Sequence, residues 1–201
     1  MEHKTEIRAA RNEQEFLQVA HLHQQYIPLG FLSSLGIGFL ARLYAFMAKD
    51  AAAFLLVAVD GGTVVGFVSG TVDVGSFYRR FIIKNILWGF VLLPKLVTRN
   101  TLKRALETLL YPRKNKAMNL PKAELLSIVV DRAYQGTGVA QTLYEHLKQF
   151  YKIKGIQEFK IIVGSSLTSA ICFYQKVGAT KLTEIEVHEG YQSWVMHQQL
   201  R

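Results

Sequence analysis

The run ELLSIVVDRAYQGTGVAQTLYEHL, from Glu124 to Leu147, constrains this chain more than any other part of it. Its first seven residues are apolar except for Glu124 and Ser127, the pattern of a buried strand. Leu143, Leu147 and Phe150 then fall on one side of a helix, which predicts an amphipathic helix over Gly138 to Lys152. A buried strand that turns through glycines directly into a helix is a unit of α/β architecture. Small residues at Gly136, Gly138 and Ala140 leave successive backbone N–H groups uncovered at the positive end of the helix dipole, an arrangement that suits a phosphate or pyrophosphate. Close packing is the competing use of such a turn, since glycine is also the default for a tight reversal. The spacing departs from the two commoner phosphate loops. Gln141 stands where a dinucleotide fingerprint has its third glycine, and no Lys-Ser/Thr pair follows as a P-loop requires.

Around this junction the pattern predicts alternating elements. Glu6 to Ala10 reads as a short strand, and Asn12 as the N-cap of a helix reaching about Tyr26, stopped by Pro28 and Gly30. A second helix is predicted from Leu35 to Ala48, on the recurrence of Phe39, Leu40, Leu43, Phe46 and Met47. Phe54 to Val59 and Val64 to Val72 flank Asp60-Gly61-Gly62, a strong hairpin signal. Beyond the junction come a strand over Phe159 to Val163, a helix over Thr168 to Val177 ended by Gly178, and strands near Lys181 to Val187 and Tyr191 to Gln198. Without internal repeats or low-complexity linkers, residues 1–201 read as one α/β domain with a mixed sheet and an insertion over 75–121.

Charge sharpens the insertion. The net charge is +9, yet between Arg79 and Lys122 eleven Lys and Arg residues face a single acid, Glu107, and the rest of the chain is nearly neutral. A polyanionic, phospholipid or nucleotide-phosphate partner is therefore expected at the insertion. Phe81 to Val97 is apolar but short for a bilayer span, and it contains Lys84, Asn85, Pro94 and Lys95. Two readings stay open: an interfacial membrane helix, or a helical hairpin that covers the domain's own core or a dimer partner. With 50% hydrophobic residues the chain is neither disordered nor collagen-like, and its single cysteine cannot form an internal disulfide. Cys172 sits between Ile171 and Phe173 on a predicted helix and reads as a buried structural thiol. The charged first residues do not resemble a secretory signal, so a cytoplasmic location is expected, with the inner face of a membrane as a peripheral site.

The junction resembles the acetyl-CoA-binding core of the GNAT superfamily of N-acetyltransferases, whose loop is Gln/Arg-x-x-Gly-x-Gly/Ala; Gln135, Gly138 and Ala140 meet that pattern. Ala170 to Ala179, AICFYQKVGA, is similar to the family's downstream Ala-x-x-Phe-Tyr-x-x-x-Gly-Phe helix. Two motifs in the right order are more specific than either, and the predicted element order resembles the family over nearly the whole chain outside the insertion. The resemblance implies a mixed, mostly antiparallel central sheet flanked by helices, with the basic helical insertion preceding the acetyl-CoA-binding strand. It implies acetyl-CoA as cosubstrate without a metal, the backbone of Ile128, Val129 and Val130 against the pantetheine arm, and the pyrophosphate on the loop Gln135, Gly136, Thr137, Gly138, Val139, Ala140 and Gln141.

Tyr174 falls where many members keep a tyrosine that protonates the departing thiolate, a role that suits a neutral phenol. Its competing reading is a packed helix aromatic. The amine must lose a proton before attack, and Glu124 matches the position of a catalytic glutamate in some members; an apolar strand behind it would raise its pKa. An ordinary exposed strand-end glutamate is the alternative. His188 and Glu189 are second candidates for the base, whereas His21 and His23 read as solvated helix residues. One departure stands out: Leu167 occupies the place of an asparagine that contacts the pantetheine in many members, with Ser165, Ser166 or Thr168 as substitutes.

These readings converge on an N-acetyltransferase acting on a small-molecule amine, amino sugars first, by direct attack on the thioester. The opposing class is a non-catalytic module that binds CoA, a membrane or a polyanion through the basic insertion. Peripheral membrane contact through residues 79–104 and a homodimer are the partners left open. Nucleic acid is not expected, because the aromatics of the insertion lie in an apolar run rather than along a polar groove.

Overall fold

The computed structural model describes residues 5–28, 30–85, 120–188 and 191–200. Seven strands, β1 (Glu6–Ala9), β2 (Ala53–Asp60), β3 (Thr63–Thr71), β4 (Glu124–Val130), β5 (Glu158–Gly164), β6 (Thr180–His188) and β7 (Tyr191–Gln199), follow the order β1-β2-β3-β4-β5-β7-β6. The helices are α1 (Glu13–Tyr26), α2 (Phe31–Ser34), α3 (Ile37–Met47), α4 (Val74–Lys84), α5 (Val139–Ile153) and α6 (Thr168–Lys176). The β1–β2, β2–β3, β5–β7 and β6–β7 ladders are antiparallel and β4–β5 is parallel, which is the mixed, mostly antiparallel sheet expected. The chain divides into two compact units, Met1–Thr71 with Ser127–Phe150, and Val72–Leu126 with Tyr151–Arg201.

In the first unit Gly61 and Gly62, with φ of 55° and 82°, close the β2–β3 hairpin in the double positive-φ turn that matches strand twist. Strand parity sorts the packing. Phe67, paired with Val57, meets the rings of His23 and Tyr44, so α1 and α3 cover that face. Phe54, of opposite parity, meets Phe150 of α5 at 4.7 Å between ring centroids, and α5 covers the other face. This two-sided cover explains why β3 is buried at every position from Val64 to Thr71. Asn12 caps α1 as expected, its Oδ1 accepting from the Glu15 N–H at 3.0 Å. The helix expected over Leu35 to Ala48 forms as α3, which starts after Gly36 at φ 89°, and the short α2 precedes it in a stretch where no element is expected. His23 also departs from expectation: it is 3% exposed rather than solvated, and its Nδ1 shares a 2.5 Å hydrogen bond with the Tyr44 hydroxyl.

In the second unit, β5, β7 and β6 form an antiparallel group, and α6 turns Ile171 and Tyr174 inward. Cys172, one residue past Ile171 and so about a quarter turn round the helix, is exposed, not buried as its apolar neighbours suggested. Asp73 caps α4 through the Ser76 N–H, and Val74, Phe77 and Phe81 line its buried stripe. Phe81 is therefore committed to the protein's own core rather than to a membrane, while Ile82 and Ile83 stay exposed. The N–H of Val74 donates to the Lys122 carbonyl at 3.3 Å, so the basic segment leaves and rejoins the unit at neighbouring points of the backbone. Most of that segment, including Leu87, Trp88 and Phe90, lies outside the described residues. Among the described residues no helix is long and apolar enough to cross a membrane.

Candidate active site

The glycine junction forms where it is expected. β4 ends at Val130, a 3-10 turn covers Arg132–Tyr134, and α5 opens at Val139. Gly136 and Gly138 hold φ of 79° and 90°, which L side chains rarely adopt, and a Cβ at either would meet nothing within 4 Å among the described residues. Gln135, Gly136, Thr137 and Gly138 are all exposed. The first hydrogen bond of α5 runs from Thr142 N to the Gly138 carbonyl, so the N–H groups of Val139, Ala140 and Gln141 have no partner inside the helix. Three donors and the positive dipole end are presented together to whatever anion occupies the space in front.

Side chains far apart in sequence brace this loop. The Tyr26 hydroxyl accepts from the Arg132 N–H at 2.9 Å and donates to Asp131 Oδ2 at 3.2 Å. Asp131 Oδ1 accepts from the Ala133 N–H, and the Asp131 N–H donates to the Val65 carbonyl at 2.8 Å. Tyr134 donates to Asp60 Oδ2 at 2.7 Å, and the Gln135 amide returns to the Val130 carbonyl. Gln135, the residue that heads the motif, therefore fastens the loop to the end of β4. Tyr26 and Asp60 carry no local signal in the sequence, and tertiary contact alone reveals their part. Replacing Tyr26 by Phe should remove about 1 kcal/mol of support and weaken phosphate-ligand binding roughly fivefold at unchanged fold, measurable as a calorimetric affinity for acetyl-CoA beside a thermal melt.

β4 itself is placed by Gly66. A Cβ there would come within 3.0 Å of the Val129 carbonyl oxygen and 3.2 Å of Val130 Cγ2, so glycine lets β3 and β4 approach closely. Gly66→Ala should displace Val129 and Val130 and cost about 1–3 kcal/mol, read as a lower urea midpoint.

Within the second unit, Glu124 opens β4 beside Lys160 of β5; the β4–β5 register comprises Glu124 with Lys160 and Leu125 with Ile161. Glu124 is 7% exposed, so it is not the solvated strand-end glutamate of the alternative reading. Burial raises its pKa, and the nearby Lys160 ammonium opposes that rise. Tyr174 is buried, and burial pushes its phenol well above the ordinary range, keeping it protonated as a proton donor must be. Ser165 donates to the Gln192 carbonyl at 3.0 Å, so of the three substitutes for the missing asparagine its hydroxyl is already engaged, whereas Ser166 and Thr168 are exposed beside the exposed Leu167. His21 is exposed on α1; the His188 side chain and Glu189 lie outside the described residues. Among the described residues no group of three His, Cys, Asp or Glu side chains could hold a metal.

An exposed glycine loop between a buried strand and a helix, with helix N–H donors at its end, is an anion-binding geometry set in a mixed seven-stranded sheet. The profile of the Acetyltransferase (GNAT) family matches residues 18–179, and the chain belongs to that family. Its fold is shared, over 98% of this chain, with the PaiA N-acetyltransferase from Thermoplasma acidophilum in complex with coenzyme A, at 16% identity, TM-score 0.60 and 99% of that chain. An N-acetyltransferase from Staphylococcus aureus Mu50 matches with 14% identity and TM-score 0.64, covering 98% of this chain and 99% of that one. Ard1 from Thermoplasma volcanium matches with 14% identity and TM-score 0.62, covering 98% of each chain. These likenesses are of fold. No curated protein matches the sequence.

Proposed function

We propose that this chain transfers the acetyl group of acetyl-CoA directly to a primary amine of a small molecule, amino sugars foremost. The observation that carries the reading is the exposed, braced loop at the head of α5, with three helix N–H donors unpartnered within the helix and no side chain at Gly136 or Gly138 to fill the space. Those donors, from Val139, Ala140 and Gln141, fit a pyrophosphate, and Gln135 to Gly138 shape its approach. By motif position, the backbone of Ile128, Val129 and Val130 is the counterpart for a pantetheine arm. When bound, acetyl-CoA supplies the activated thioester; Glu124 takes the proton of the acceptor ammonium, and Tyr174 donates one to the departing sulfur. The assignment of Glu124 and Tyr174 rests on their motif positions, supported by burial that favours a proton-accepting carboxylate and a neutral phenol.

The preference for a phosphate-bearing acceptor comes from the cations between Arg79 and Lys122, which suit charge-assisted contacts. A second use of that segment, peripheral contact with the anionic inner face of a membrane, is favoured by the exposure of Ile82 and Ile83, the latter 64%, where α4 leads into it. Thiol release from acetyl-CoA, followed across amines that include amino sugars with and without phosphate, tests the reading. Amine-dependent release is the expected result. Binding of acetyl-CoA with no release for any amine would favour the non-catalytic CoA-binding module instead.

A further inference from the structure

Lys160 is 0% exposed, a buried cation that the chemistry just proposed leaves unused. Its Nζ lies 3.2 Å from Glu124 Oε2, and it donates a hydrogen bond to the Pro121 carbonyl. The parallel register fixes the two residues side by side at the start of β4. Both groups are buried, so water screens the attraction between them little. Two further titratable groups face Glu124: Tyr78 of α4, which feels its charge, and Tyr151 of α5, whose hydroxyl is committed to the Glu124 backbone carbonyl at 2.7 Å. Neither phenol supplies a positive charge, and among the described residues the counter-charge paired with Glu124 is Lys160.

We propose that Lys160 is a positioning residue that holds Glu124 as a carboxylate, and so sets the pH above which the base operates. The inference rests on the reading of Glu124 as the general base. In the step it serves, the acceptor ammonium loses one proton to the Glu124 carboxylate, the freed nitrogen bonds the thioester carbonyl carbon, the carbon–sulfur bond breaks as Tyr174 protonates the sulfur, and the second nitrogen proton, lost as the amide forms, restores the Tyr174 phenol; Lys160 gives up no proton.

Infrared titration of the protonated-carboxyl stretch in the full chain reads this directly, with Glu124→Gln identifying the band. In Lys160→Met the midpoint of that band should rise by about 1–3 pH units, the size of effect an adjacent opposite charge exerts. Lys160→Gln, which keeps a neutral donor at this position, should show the same rise and carries the test should the Met variant unfold; Lys160→Arg should leave the midpoint in place. A midpoint unmoved in a folded neutral variant, or moved equally in Lys160→Arg, overturns the proposal. Calorimetry with acetyl-CoA on the same proteins separates the two levels: wild type that binds no acetyl-CoA sinks the acetyltransferase reading, while the titration still reports on Lys160. Once an acceptor is in hand, the acid limb of kcat/KM should move by the same amount as the band.

Discussion

Gly138→Asp should reduce acetyl-CoA affinity by about 100-fold or more, a loss near 3 kcal/mol. Gly138 sits at the head of α5, where its carbonyl accepts the first helical hydrogen bond and three N–H groups follow. An aspartate there would aim its own carboxylate at the N–H donors and repel the pyrophosphate by like charge. Asp is also among the residues that best tolerate positive φ and cap a helix, so the φ of 90° is strained but the helix persists. Gly138→Asn isolates the charge, because it carries the same shape and the same backbone strain. Calorimetric titration should give wild type the tightest binding, Asn an intermediate value and Asp the weakest. Equal binding by all three folded proteins would remove the pyrophosphate from this loop.

Acidification should destabilise the fold through His23. Burial pushes its imidazole down to about 4, against an ordinary value of 6.5. Between those limits the unfolded chain binds a proton that the folded chain refuses, so stability falls as pH drops from about 6.5 and levels off below about 4. The full loss is on the order of 3 kcal/mol, and roughly 2 kcal/mol of it has occurred by pH 5. Glu15 acts at lower pH: the Arg8 guanidinium, bonded to it at 2.8 Å, holds its carboxyl below the usual range, and that stabilisation is lost only as pH falls through the lowered value. Urea midpoints at pH 7 and pH 5 distinguish the two. The wild-type drop should be largely absent from a His23→Phe, Tyr44→Phe double variant, which keeps the aromatic packing and removes the shared hydrogen bond. The same drop in that variant would assign it to other groups.

Much of the site was legible because its signals are local. A glycine that must take positive φ, an Asn cap, a strand of apolar residues and a helix with period 3.6 are each written in adjacent residues, and β4, the loop and α5 formed where those patterns placed them. The errors share one cause. Whether a residue on a helix faces solvent depends on what lies across from it, so adjacent residues suggest a solvated His23 and a buried Cys172 where the packing of α1 and α6 reverses both.

Local order therefore determined the strand–loop–helix unit and, through its motifs, the family. Tertiary structure decided the electrostatics: that Glu124 is buried against Lys160, 36 positions along the chain, and that Tyr26 and Asp60 hold the loop from α1 and the β2 hairpin. Burial and distance between remote residues are what shift a pKa or fix a loop, and neither is a property of neighbours in sequence.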